Sequence, residues 1–349
     1  MPQVVSSAAP AAEGLLFLPP VLAPVDRLPS GEEIGFGGRI FGTTWSVRMV
    51  MRDDASALEL FVLRGQLQRA CEVILALVDQ QMSPWIADSD LNRYNGLPDG
   101  GALALREPMR ALVGDALVLW QQTGGLFDPF IGEATDLWGF GPVAVGDGLP
   151  DAGALSAIRS LRHGDRPCLQ GDELIRKAGF QLDLCGIAKG FAVDLLMDRL
   201  QAEPGVASVL VEIGGELKGC GVKPDAMPWW VDLDWAEDAG EPRMRLALHD
   251  WACASSGVAQ RSFVHGERRY SHAIDPATGE PTTSDLAGVT VLAPECWRAD
   301  ALATALLVAG QEGALALANR LAVPCLLIPS ESGERPVCSA AMQDWLVDD

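Results

Sequence analysis

One stretch narrows the possible folds more than any other. In Leu182-Asp183-Leu184-Cys185 apolar and polar residues alternate as in a half-buried strand, and Gly186 then interrupts. From Gly190 onward Phe191, Leu195 and Met197 recur at nearly helical spacing, so the pattern predicts strand, tight turn, helix. Gly186 and Gly190 flank Lys189. At such a turn the backbone can approach a ligand closely, while amides at the helix start and the lysine face negative charge. An ordinary strand-to-helix connection with a solvated lysine fits the same local pattern. The spacing matches neither a P-loop nor a dinucleotide fingerprint, so it does not name a ligand.

Strand and helix signals interleave along the rest of the chain. Gly35 to Met51 is a glycine-punctuated lead into an alternating strand, and Leu58 to Met82 carries Leu60, Leu63, Leu67, Cys71, Ile74 and Val78 at helical spacing. A short helix capped near Asp88 or Ser89 follows a Pro-containing loop, and a second amphipathic helix runs from about Pro108 to Thr123. Gly124 and Gly125 stop that helix, and Pro129 forces Asp128 out of helical geometry. Phe127 beside Asp128 suits either a pocket for a flat ring or a packed helix stop, and Trp138 to Pro142 has the same ambiguity. Val209 to Leu217 reads as a buried strand ending in paired glycines. Trp229 to Trp235 alternates like a neighbouring strand, and Arg243 to Ser255 reads as one more strand. No internal repeat interrupts this order, which predicts an α/β (α+β) fold, one domain of mixed sheets flanked by helices over residues 36–345, after an irregular segment 1–35.

Composition excludes several functions. A formal charge of -21 argues against nucleic acid and against anionic membrane surfaces. No run approaches the ~20 apolar residues of a membrane helix. Eight scattered cysteines without a CxxC suggest a reducing compartment. The opening lacks a basic residue before Arg27 and an early cysteine, so a cytoplasmic location is expected.

Two further clusters carry chemistry. Tyr270 to Pro281 holds one of only four histidines, His272, three residues before an Asp-Pro turn that begins at Asp275. In the alanine-rich helix around 298–308, Asp300 and Thr304 are four apart, which puts both oxygens on one side. Such a pair suits a hard cation completed by phosphate or water; it equally suits a helix-start acid and a threonine bonded to its own turn.

In chain order the segments 41–45 (Phe-Gly-Thr-Thr-Trp), 88–95, 123–129, 138–141, 183–190, 213–216 (Ile-Gly-Gly-Glu), 270–279 and 299–305 together resemble the ApbE family of FAD:protein FMN transferases. The resemblance implies a single ApbE-like domain that moves FMN from FAD onto a Thr or Ser of a target flavoprotein through a phosphoester bond, releasing AMP. It implies Mg²⁺ held by Asp300, Thr304 and the Gly186 carbonyl, and FAD contacts from Phe41, Trp85, Leu126, Phe127, Asp128, Asp183, Lys189 and Ile274. His272 falls at the family's proposed catalytic histidine. The alternatives are an FAD pyrophosphatase giving FMN and AMP, and a flavin-binding protein without turnover. Trp85 stands where the family often has tyrosine, Phe41 where methionine is common, and Ala303 where some members carry a third acid.

Overall fold

Period-two alternation builds the centre of the molecule. The computed structural model describes residues 3–4, 14–22, 25, 27–142, 148–162, 165–233, 243–259, 261–331 and 334–347. Its largest sheet has the order β19 (Val337–Cys338), β18 (Cys325–Pro329), β17 (Leu286–Ala293), β12 (Trp251–Gly257), β9 (Glu216–Cys220), β8 (Val206–Ile213), β4 (Thr43–Met51), β3 (Glu33–Ile40). Every neighbouring pair in it is antiparallel. A four-stranded sheet, β1 (Gln3–Val4), β10 (Trp229–Leu233), β11 (Arg243–Leu248), β2 (Gly14–Phe17), is mixed because β2 runs parallel to β11. Small ribbons pair β5 (Ala102–Ala104) and β6 (Leu169–Gln170) with β7 (Glu173–Ile175), β13 (Ser262–His265) with β14 (Arg268–Ser271), and β15 (Ile274–Asp275) with β16 (Glu280–Pro281). The helices are α1 (Ala57–Met82), α2 (Asp90–Asn95), α3 (Met109–Gln122), α4 (Gly132–Leu137), α5 (Ala152–Leu161), α6 (Ala188–Gln201), α7 (Cys296–Arg320) and α8 (Ala340–Gln343). The α+β architecture expected from the sequence is the one observed.

Successive residues of the large sheet serve two different cores. Val209, Val211 and Ile213 of β8 join α1, α6 and α7 through Leu67, Leu75, Leu196 and Leu302, whereas Leu210 joins Trp229 and Leu246 of the smaller sheet. Ala252 and Ala254 against Cys253, and Cys325 and Leu327 against Leu326, repeat the division. The result is three layers: helices, the large sheet, the small sheet. Each fully buried leucine in them contributes about 1.5–3 kcal/mol by leaving water. All eight cysteines are free, and Cys71, Cys253, Cys296 and Cys325 are buried as small apolar groups.

Local signals set the helix ends. α1 starts on a capping box in which Ser56 Oγ accepts from Glu59 N and the Glu59 carboxylate accepts from Ser56 N. Ser89 caps α2 by accepting from Asn92 N at 3.1 Å. Gly124 and Gly125, at φ 65° and 88°, follow α3 as expected.

Three expectations differ from the structure. Residues 182–185 form no strand: Leu182 exchanges hydrogen bonds with the Asn95 side chain and Asp183 N donates to Pro129 O, so side chains and loops replace a ladder. The single strand expected over 243–255 is two, because Asp250 adopts φ 60° and turns the chain from the small sheet into the large one. Within the segment expected to be irregular, Gly14–Phe17 pairs with β11 and wholly buries Phe17, while β3 already begins at Glu33. Of the strand expected over 229–235, Trp229–Leu233 is strand β10, and residues 234–235 lie outside the described residues.

α7 is long and apolar enough to cross a membrane by composition, which the sequence reading did not anticipate. Its apolar side is taken up by β12, β17 and α6, and Gly310 breaks it at φ 69°. Its hydrophobicity is that of a core helix.

Candidate active site

Two hairpin tips form one wall of a cavity of about 390 Å³, within the range of small-molecule sites. The β3–β4 turn is Phe41-Gly42, at φ 52° and 74°, and the β8–β9 turn is Gly214-Gly215, at φ 61° and 106°. The left-handed backbone of Phe41 costs about 1 kcal/mol or more, and the residue lines the cavity. Gly214 N donates to Thr44 O at 3.1 Å, which locks the tips together. A side chain at Gly214 would meet Thr43 Cγ2 at 2.8 Å.

The glycine turn forces Glu216 to start β9 with its side chain toward α6, where it forms an ion pair with Lys189. Glu216 is 2% exposed, and its second oxygen, Oε2, has no hydrogen-bond partner among the described residues. Asp300, also buried, lies beside the pair and accepts from Gly190 N at 3.0 Å. One half-buried cation thus faces two buried carboxylates. Burial pushes the Asp300 carboxyl up, with Lys189 opposing; burial pushes Glu216 up as well, and Asp300 adds to it. For Lys189 burial favours loss of the proton, but Glu216 and Asp300 together outweigh it and hold the ammonium above the usual lysine range. Burial therefore raises both carboxylates beside a firmly charged lysine, and for Glu216 alone the Asp300 charge adds to it.

One turn along α7, Thr304 Oγ1 stands 3.4 Å from both Asp300 O and Ser256 Oγ. A side chain at Gly186 would meet Thr304 Oγ1 at 3.3 Å, so this glycine lets the 182–187 segment lie against α7. Gly190 serves differently from expectation. A side chain there would lie 2.4 Å from Cys296 O, so its bareness permits the α6–α7 crossing rather than approach of a ligand, and its amide belongs to Asp300.

A second ion pair joins the same strand and helix. Lys218 lies two residues along β9 and holds Asp194 Oδ1 at 2.7 Å, while Asp194 Oδ2 accepts from Trp297 N at 3.0 Å.

At the aromatic end, Leu126, Phe127 and Asp128 follow α3 into the cavity lining. Asp128 is held by Arg162 and, at 2.6 Å, by Arg166, and it accepts from Phe130 N at 2.9 Å. Arg166 stacks over Trp120 at 4.1 Å and Phe180 at 4.9 Å, so this carboxylate braces the loop through a cation–aromatic stack. Asp183 spends Oδ1 on Cys185 N at 2.8 Å.

Across the cavity, the Arg261 carbonyl accepts from His272 N at 3.0 Å and lies 3.1 Å from His272 Nδ1. A carbonyl only accepts, so Nδ1 carries the proton and the lone pair is on Nε2. Burial, with smaller contributions from Arg261 and Lys189, holds the imidazole below its ordinary value against the carbonyl's pull, so it is neutral at pH 7. Phe140 packs edge-on against the ring at 6.3 Å. The Arg261 side chain donates to Phe140 O and lies 5.8 Å from the centre of the Trp85 ring, which is 55% exposed at the rim.

All the sequence-derived candidates line this one cavity: Phe41, Trp85, Leu126, Phe127, Asp128, Asp183, Lys189, His272, Ile274, and the trio Gly186, Asp300 and Thr304. Glu216, Ser256 and Arg261 line it too and had been given no role. The signal for Glu216 was its place as the carboxylate that closes the Ile-Gly-Gly-Glu segment.

Comparison with known proteins places this cavity in a lineage. The ApbE family matches residues 41–327, most of the chain. The chain belongs to the ApbE family. Among ApbE relatives, the FAD:protein FMN transferase of Vibrio cholerae is 31% identical over 318 residues, covering 90% of this chain and 93% of its own. That of Haemophilus influenzae is 32% identical over 310 residues, covering 86% and 88%. The crystal structure of the Pseudomonas stutzeri flavinyl transferase ApbE in its apo form superposes with a TM-score of 0.80 at 36% identity, over 90% of this chain and 96% of that one.

Proposed function

We propose that this ApbE-family chain is a Mg²⁺-dependent FAD:protein FMN transferase acting on a Thr or Ser hydroxyl of a target flavoprotein. The observation that carries the reading is the cluster of one half-buried lysine and two buried carboxylates, with Glu216 Oε2 unpartnered among the described residues, at one end of an aromatic-lined cavity. Among the described residues no cluster of three His, Cys, Asp or Glu could hold a metal. Few carboxylates plus hydroxyl and carbonyl oxygens suit Mg²⁺, which usually keeps waters and takes substrate phosphates as ligands. Asp300, Thr304 and the Gly186 carbonyl are the residues to hold it. When bound, Mg²⁺ supplies charge neutralisation at the pyrophosphate and at the leaving phosphate.

In the reaction a bond forms between the acceptor oxygen and the FMN-side phosphorus of FAD. The anhydride bond breaks, and AMP leaves with the electron pair. His272, which lines the cavity with its ring neutral and its lone pair on Nε2, takes the hydroxyl proton. Lys189 contributes fixed positive charge, and Phe41, Leu126, Phe127, Ile274 and Trp85 provide apolar surface for the rings. Asp128 acts by bracing the loop that carries Phe127. The neutral, tautomer-fixed imidazole supports a proton-accepting role.

The test incubates the protein with FAD and Mg²⁺, with and without a Thr-containing acceptor domain, and reads AMP, free FMN and protein-bound FMN. Covalent FMN on the acceptor, lost with chelator, is the expected result. Free FMN and AMP alone would show hydrolysis, and intact FAD throughout would show a binder. His272→Ala is expected to lower transfer by about 10²–10⁴-fold with FAD affinity nearly unchanged.

A further inference from the structure

We propose that Glu216 is a fourth protein group of the cation site, holding the divalent ion through its water shell with the oxygen that Lys189 leaves free. This rests on the metal-dependent reading above and extends it to a residue outside the Asp300, Thr304 and Gly186 set. The side chain is 2% exposed and lines the cavity beside Asp300 and Lys189. Lys189 occupies Oε1, and among the described residues nothing donates to Oε2. A buried carboxylate oxygen without a donor costs about 1–3 kcal/mol or more, so the folded chain keeps an acceptor poised for a donor that arrives from outside. Water on a divalent ion is such a donor, strengthened by the ion's charge. Mg²⁺ retains several of its waters when few protein oxygens reach it.

Charge points the same way. Lys189 is ion-paired with Glu216, while Asp300, a second buried carboxylate beside them, accepts from the Gly190 amide alone among the described residues, so a cation between the two carboxylates completes the balance. The Gly214-Gly215 turn fixes this placement: β9 begins directly at Glu216, and register pairs it with Ile213. The side chain is therefore presented by the rigid end of a hairpin, with little freedom to turn away.

The experiment titrates the full-length protein with Mn²⁺ to millimolar concentration and reads free ion by electron paramagnetic resonance, without FAD. Glu216→Gln keeps the shape and removes the charge, and its Mn²⁺ Kd is expected to rise about 10–100-fold. Lys189→Met removes the opposing positive charge, and its Kd is expected to stay or fall. A raised Kd in Glu216→Gln with no rise in Lys189→Met supports the inference. An equal loss in both reduces Glu216 to the lysine's counter-ion and overturns it, as does an unchanged Kd in Glu216→Gln. Should that variant fail to fold, Glu216→Asp draws the carboxylate back by one methylene: a Kd raised about threefold or more supports the inference, and an unchanged one overturns it. A wild-type protein that binds no Mn²⁺ removes the metal reading itself, which separates that failure from the failure of this inference.

Discussion

β9 and α6 meet through two ion pairs of opposite polarity, and only one of them is finished. Lys218 on the strand meets Asp194 on the helix; two residues back, Glu216 on the strand meets Lys189 on the helix. In the first pair both carboxylate oxygens are used, one by the lysine and one by the Trp297 amide that opens α7. In the second, one oxygen has no partner and a second carboxylate stands alongside. Strand and helix are shared, and the telling difference lies in how far each charge is compensated. A satisfied pair specifies how layers dock; a pair left in deficit stores an affinity for something the chain does not supply.

The comparison breaks most visibly at the finished pair. Asp194→Ala leaves Lys218 and the Trp297 amide unanswered in the interior and is expected to cost about 3–5 kcal/mol of unfolding free energy, read by denaturant titration. A loss under about 1 kcal/mol would contradict its structural role. Next in size, Mg²⁺ at 100 times its Kd is expected to stabilise the wild-type protein by about 2.7 kcal/mol and Asp300→Asn hardly at all, read from melting temperature against metal concentration. Equal shifts in both would move the ion away from Asp300. Smaller still, Asp300→Asn without metal is expected to gain about 1 kcal/mol, because one of two crowded carboxylates is gone while an oxygen remains for the Gly190 amide. A net loss would mean that the cluster is balanced as it stands.

The smallest effect belongs to a group outside both pairs. The folded His272 pKa lies below 6.5, so between the two values the unfolded chain binds the proton and the folded one does not. The stability that neutral His272 contributes is present above pH 6.5 and is lost as pH falls through the folded value. Transfer is expected to share that acidic limb, below pH 6.5, in its kcat/KM profile. A limb unchanged in His272→Asn would assign it elsewhere.

Much of this was legible in the chain, for identifiable reasons. Helical periodicity placed α1 and α3, Ser89 placed the start of α2, and the motif residues gather in one cavity because each is tied to a turn or helix start with its own signal. Long-range partners were not legible. Residues 182–185 alternate like a strand, yet Asn95 and Pro129 take their backbone bonds. Gly190 resembled a ligand-facing glycine until the carbonyl of Cys296 was found against it. Glu216 was hidden because its meaning depends on an oxygen that lacks a partner, and no local pattern announces a missing contact.

The cavity draws on the chain from Phe41 to Leu307. Its charged end needs the β8–β9 hairpin, α6 and α7 at once, so a polypeptide growing on the ribosome has no cation pocket until α7 has emerged and docked. Shortening the chain from its C-terminal side should therefore abolish the chemistry in one step at α7 rather than erode it gradually. Contacts so distant in sequence also favour slow folding, which makes assembly of this pocket a late event in the life of each molecule.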